Sequence, residues 1–130
     1  MAKKKKESVK EQISNQSNSK ICAILSYLFI GLIWYAVDEN IKKSEFAKYH
    51  VKQGLVLLIA SIAYDIILGI IFSILLFPTL ISGLFVGLFA LIQLLYYVPL
   101  IFTIIGIINA INDKQKELPV IGHFATKLTF

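Results

Sequence analysis

Three long blocks of this chain, 21–37, 54–77 and 84–111, carry a single charge between them, and that constrains the fold more than any motif does. Every other acidic or basic residue falls in 1–20, 38–53 or 112–130. A helix of a soluble protein keeps charge on the face that meets water. Blocks swept clean of charge on all faces therefore point to lipid as the solvent. Composition agrees, with 57% apolar and 16% charged residues, against roughly 25% charged in a typical soluble domain. In hydrocarbon every backbone polar group must be satisfied within its own segment, which leaves helices as the natural spanning element. The sequence predicts an all-α, polytopic helical membrane protein: a helical hairpin, one further apolar helix that is spanning or re-entrant, and interfacial helices.

The blocks differ in reach. The first has 17 residues, ~25 Å as a helix, at the lower limit for a ~30 Å hydrocarbon core. The second has 24 residues and spans comfortably at ~36 Å. The third has 28 residues, ~42 Å if helical throughout, so it must tilt or kink. Pro99 lies inside it and removes one backbone donor, which marks a kink point. A turn at 78–83 makes the second and third blocks an antiparallel hairpin. Residues 1–20 are polar and rich in Lys, Ser, Asn and Gln, and they read as a disordered tail ahead of a membrane domain at 21–130. Asn18 or Ser19 would cap the first apolar helix. Segment 38–53 reads as an interfacial helical turn or two that runs straight into the second block. Segment 118–130 is too short to span and is apolar enough to lie on the membrane surface. The polar stretch before Ile21 is long and contains Glu7 and Glu11, so no cleaved leader is expected.

All thirteen basic residues are Lys, and they make orientation a puzzle. The turn at 78–83 has none and should face outward under the positive-inside rule. Segment 38–53, with four Lys, and the C-terminal tail, with three, then face inward. If block 21–37 spans, the six Lys of the N-terminus face outward and the rule decides nothing. If the block dips in and returns, all thirteen lie on one side, and its short length and central Gly31 favour this. The lysines flank apolar blocks and form no basic face interleaved with aromatics, so anionic lipid near the Lys-rich tail is the expected partner and nucleic acid is not.

Asp65 is the one charge inside a block. A carboxylate at mid-bilayer is costly unless paired or neutralised. Folding the hairpin sets it opposite Tyr96, with Gln93 three residues away on the same face. A protonated Asp65 bonded to Gln93 or Tyr96 would join the two helices, and an ion or proton relay is the other reading. Cys22 is the single cysteine, and with His50 and His123 it offers no metal-ligand spacing. No nucleophile motif or glycine-rich phosphate loop occurs, so no enzyme, metal or cofactor is expected. Gly31, Gly69, Gly83, Gly87 and Gly106 are expected to permit close helix contact.

Two stretches resemble a known family. Ser44-Glu45-Phe46-Ala47-Lys48-Tyr49-His50-Val51-Lys52-Gln53-Gly54-Leu55 is similar to the start of the second membrane segment in the Tic-twenty-like family of small membrane proteins. That family contains a chloroplast inner-envelope import component and its bacterial and archaeal relatives. Ile108-Asn109-Ala110-Ile111-Asn112-Asp113, followed by Leu118-Pro119-Val120-Ile121-Gly122, resembles the family's exit from its last segment, and Ala23-Ile24-Leu25-Ser26-Tyr27-Leu28 its opening. The resemblance makes His50, Gln53, Pro119 and Gly122 signature positions. Asp113 stands where Gly is usual. It implies a non-enzymatic accessory of protein translocation or import, multi-pass in the plasma membrane of a prokaryote. Four membrane helices are commonly assigned to the chloroplast member; three blocks occur here, so a pore does not carry over. The alternatives are a small oligomeric permeation protein using Asp65, Gln93 and Tyr96, or a membrane-anchored interaction protein with a homo-oligomeric or membrane-protein partner.

Overall fold

A computed structural model describes residues 1–82 and 85–130, with side chains described outside 76–85 and 88. Among the described residues the chain is all-helical: α1 (Ala2–Ser26), α2 (Ile30–Val37), α3 (Glu39–Lys42), α4 (Glu45–Ser82), α5 (Phe85–Leu95), α6 (Val98–Ile111) and a closing 3-10 helix (Gly122–Lys127). Two helical stretches are long and apolar enough to cross a membrane, Glu45–Leu75 with 31 residues and Phe89–Ile111 with 23. Ile59, Ile62, Ile66, Ile70 and Ile74 of α4 are all exposed, as are Leu91, Leu94, Ile101 and Ile104 of α5 and α6. A contiguous apolar face of that extent is not stable against water.

The N-terminal region departs from the expected tail. Residues 1–20 are not disordered here; α1 runs unbroken from Ala2, exposed through its first turns. Lys, Glu and Gln are good helix formers, and the arm continues outward from the packed half of the same helix. Ser19 consequently caps nothing, and its hydroxyl donates instead to the Asn15 carbonyl at 2.8 Å. Block 21–37 is two helices rather than one. The chain leaves α1 at Tyr27, passes through a left-handed Phe29 (φ 67°) and doubles back as α2. The Ser26 hydroxyl bonds the Cys22 carbonyl at 2.8 Å, and the Cys22 thiol donates to the Gly31 carbonyl at 3.4 Å. Gly31 has no room for a side chain, since a Cβ would strike the Cys22 carbonyl and the Ser26 amide. The αα-turn is therefore built on backbone contact.

Asp38 ends α2 and caps α3, its carboxylate accepting from the Asn40 and Ile41 amides at 2.9 and 3.3 Å. The Ser44 hydroxyl accepts the Ala47 amide and opens α4, which runs from the polar segment into the apolar one without a break. The turn expected at 78–83 is corrected in part: α4 continues through Pro78 to Ser82, while Gly83 and Leu84 lie outside the described residues. The antiparallel hairpin itself is present. The Phe72 and Phe89 rings sit 6.0 Å apart, and the Tyr64 hydroxyl donates to the Leu95 carbonyl at 3.1 Å. The third block breaks at Tyr96–Tyr97, just before the proline. Pro99 occupies the first turn of α6, where its missing N–H has no helical partner to lose.

The core lies at one end of the α4–α6 pair. Ala23, Tyr27, Leu57, Ala110 and Leu118 form one buried cluster. Cys22, Ile41, Ala47 and Val51 form a second beneath α2. Gly106 faces the Tyr27 ring and Gly54 faces the Ser26 backbone, so three helices meet through glycine contacts. Gly69 and Gly87, expected to serve the same purpose, stand in open space, where an added Cβ would meet nothing within 4 Å. Gly54→Ala is therefore expected to destabilise by about 1–3 kcal/mol through overpacking, read as a lower thermal midpoint in detergent. Gly69→Ala should hold or raise the midpoint, since Ala gains up to about 1 kcal/mol of helix propensity.

Candidate functional site

The first turns of α4 carry the most constrained polar residues. His50 is 0% exposed and Gln53 is 1% exposed, three positions apart on one helical face. A buried polar group without a partner costs about 1–3 kcal/mol, so burial at this level demands bonds. Gln53 satisfies the demand with both ends of its amide. Its Nε2 donates to the Gly122 carbonyl at 3.1 Å, and its Oε1 accepts the Leu118 amide at 3.2 Å. One side chain thus clamps the returning segment 118–122 onto the start of α4. That return needs an unusual backbone. Val120 is left-handed (φ 65°), and the Ile121 amide bonds back to the Pro119 carbonyl at 2.7 Å. Gly122 suits the clasp, because a Cβ there would crowd the Gln53 amide oxygen and Glu117.

His50 faces the other way, toward α1. Its Nδ1 and the Tyr27 hydroxyl form a hydrogen bond of 2.8 Å. Three rings enclose the imidazole edge-on: Phe46 at 4.7 Å, Tyr49 at 5.3 Å and Tyr27 at 5.8 Å between centroids. Its Nε2 and the Nδ2 of buried Asn109 lack hydrogen-bond partners among the described residues. Asn109 begins the close of α6. The Asp113 amide returns to the Ala110 carbonyl at 3.2 Å and the Lys114 amide to the Asn109 carbonyl at 2.9 Å. Asp113 between them is left-handed (φ 55°), the position that glycine usually fills in this helix ending. Asp is tolerated there better than most residues, and its carboxylate pairs with Lys20 of α1 at 2.8 Å.

Of the sequence-predicted residues, the structure brings His50, Gln53 and Gly122 into one clasp, with Pro119 exposed on the loop that Gln53 holds. Asp65, Gln93 and Tyr96 are all exposed, and among the described residues no hydrogen bond joins them. The hairpin is pinned one residue earlier, by Tyr64 on the Leu95 carbonyl. Sequence reasoning missed Tyr27 as the partner of His50. Its only signal was a polar hydroxyl inside an apolar run.

Residues 14–125 match the family described as the magnetosome magnetite crystal formation protein family, MamF/MmsF. The chain belongs to the MamF/MmsF family. The match takes in the clasp, both long apolar stretches and the packed half of α1. No curated protein and no solved structure matches the chain. The membership corrects the Tic-twenty-like resemblance, and the import function read from it falls with it. The reason is physical. The quoted motifs are the residues that fasten a helix start to a returning loop, and such a fastening identifies a packing solution without identifying an activity. The family match lends the permeation alternative no support either.

Gln53→Leu is expected to lower stability by about 1–3 kcal/mol, because it strands the Leu118 amide and the Gly122 carbonyl together. Limited trypsin digestion should then cut faster at Lys116 and Lys127. Gln53→Glu should behave no better, since a carboxylate has no donor for Gly122. Burial pushes the Cys22 thiol up to about 11, so little thiolate exists at pH 8. Maleimide modification of Cys22 at that pH should be slow in the folded protein and fast after denaturation.

Proposed function

We propose that this MamF/MmsF protein is a non-enzymatic, multi-pass component of a prokaryotic cell membrane that contributes to crystal formation by organising the membrane surface at which a mineral grows. The family match over residues 14–125 carries the reading. Two features of the chain support the mode of action. Its buried polar groups are used to fasten helices to one another, as in the Gln53 and Tyr27–His50 contacts. Its charge is displayed at one end: Lys20 sits beside Asp113, so the arm of α1, α3 and the C-terminal segment share a side. On that reading α1 and α2 form a re-entrant hairpin that turns at Phe29, and Glu45–Leu75 and Phe89–Ile111 are the two spans. The backbone of a re-entrant hairpin must be shielded by protein, and the glycine contacts at Gly31, Gly54 and Gly106 supply the shielding. The Lys-rich arm is then free to lie on anionic headgroups, each Lys adding about 1 kcal/mol of attraction near the surface.

Replacement of the resident family member in a magnetite-forming bacterium by this chain tests the function. Crystal dimensions measured by electron microscopy should return toward those of the parent strain, and crystals indistinguishable from the deletion strain would refute the assignment. Sidedness is tested separately in intact cells. Cysteines introduced at Ser8, Ser44 and Thr126 should all be protected from an impermeant maleimide and all react once the membrane is opened. Labelling of Ser8→Cys from outside would overturn the re-entrant arrangement.

A further inference from the structure

Two crevices lie one above the other along a single face of α4. The outer is polar, with a volume of about 220 Å³, and is lined by Lys48, Tyr49, Lys52 and Gln53 of α4 and by Gln115 and Thr126 of the returning segment, with Glu45 at the start of the helix. The inner is a slot of about 90 Å³, lined almost entirely by apolar atoms of Leu57, Ala60, Tyr64, Pro99, Phe102 and Ile121. Positions 49, 53, 57, 60 and 64 recur at intervals of three and four, which places them on one helical face. The polar crevice and the apolar slot thus follow one another along α4, on either side of the Gln53–Gly122 bond, in the direction in which a lipid lies beside a spanning helix.

The geometry points to a binding site for one anionic glycerophospholipid, its phosphate in the outer crevice and one acyl chain in the inner slot. Charge complementarity selects the headgroup. The ion pairs among the described residues are Lys20–Asp113 and Lys42–Glu39, so the ammonium groups of Lys48 and Lys52 are left for an external anion. Lys52 is steadied by the Phe130 ring, 5.2 Å from its Nζ. Tyr49 and Gln115 add uncharged polar groups to the same crevice, and Glu45 at the margin disfavours a second anion. Length selects the amphiphile. From Lys48 to Tyr64 the helix rises ~24 Å, close to the ~20–22 Å of one bilayer leaflet with its headgroups. The site is separate from the N-terminal arm, whose six lysines lie on α1. It rests on the protein being membrane-embedded and not on the crystal-formation reading.

Native mass spectrometry of the full chain in neutral detergent tests this. With phosphatidylglycerol added, one retained lipid per chain is expected, and phosphatidylcholine should be retained about tenfold less. Lys48→Gln with Lys52→Gln should bring phosphatidylglycerol down to the phosphatidylcholine level, while Lys48→Arg with Lys52→Arg keeps it. Ala60→Phe, which fills the slot, should weaken diacyl lipid and leave a short-chain phosphatidylglycerol unaffected. Thermal midpoints identify any variant that fails to fold, and the Arg pair then carries the comparison against Ala60→Phe. Equal retention of the two lipids, or retention unchanged by the Gln pair, would overturn the proposal. So would inorganic phosphate binding as tightly as the lipid, which would make this a free-anion site. Loss of binding on deletion of residues 2–12 would move the site to the arm and overturn it as well. Extraction of the chain from membranes by alkaline carbonate is the separate sign that the membrane reading has failed.

Discussion

A glutamine side chain buried where the long apolar helix α4 begins holds the polar end of this protein together. Gln53 is 1% exposed, and its amide must find both a donor and an acceptor or raise the energy of the fold by about 1–3 kcal/mol. It finds the Leu118 amide and the Gly122 carbonyl, 65 and 69 residues away. That reach fixes the return of the chain after α6 and so positions the segment carrying Phe124, Lys127 and Phe130. One turn earlier, His50 takes the Tyr27 hydroxyl and fixes α1 in the same way. Two neighbouring residues of one helix face therefore fasten the segments before and after it.

The need for such fastening follows from the solvent. Between apolar helices in lipid there is little hydrophobic drive to associate, because acyl chains are as apolar as the side chains they replace. Close backbone packing and hydrogen bonds must supply the specificity. The glycine contacts are confined accordingly: Gly31, Gly54 and Gly106 sit at the clasped end, while Gly69 and Gly87 meet nothing. Toward the other end of the hairpin the described contacts include a tyrosine on a carbonyl and a pair of rings. The fold is strongly specified at its charged end.

This division bears on function. Gln53 and the Tyr27–His50 pair of the clasp are spent on holding segments of the chain together. What the chain presents outward is a basic arm, the lysines at the start of α4, and a broad isoleucine- and leucine-rich face. Those are the surfaces that the proposed role at a membrane would use, and the family to which the chain belongs is described by crystal formation.

Much of this is legible in the residues. The charge-free blocks, the hairpin and the membership of His50, Gln53 and Gly122 in one feature follow from solvent partition and from short motifs, because lipid imposes its pattern residue by residue. The misreadings are equally physical. A polar composition suggests disorder in 1–20, yet helix formers attached to a packed helix extend it. A mid-block aspartate suggests a buried pair, but a one-residue rotation, about 100° on a helix, turns Asp65 outward and puts Tyr64 in its place. For block 21–37 the lysine count and Gly31 favour a dip and return over a single span, but hydropathy does not say where the chain turns. Only the tertiary structure decided that it doubles back at Phe29, since that depends on Gly31 admitting a neighbouring backbone and on Tyr27 finding His50. Sequence alone determined which segments avoid water; long-range hydrogen bonds and backbone contact determined where those segments go.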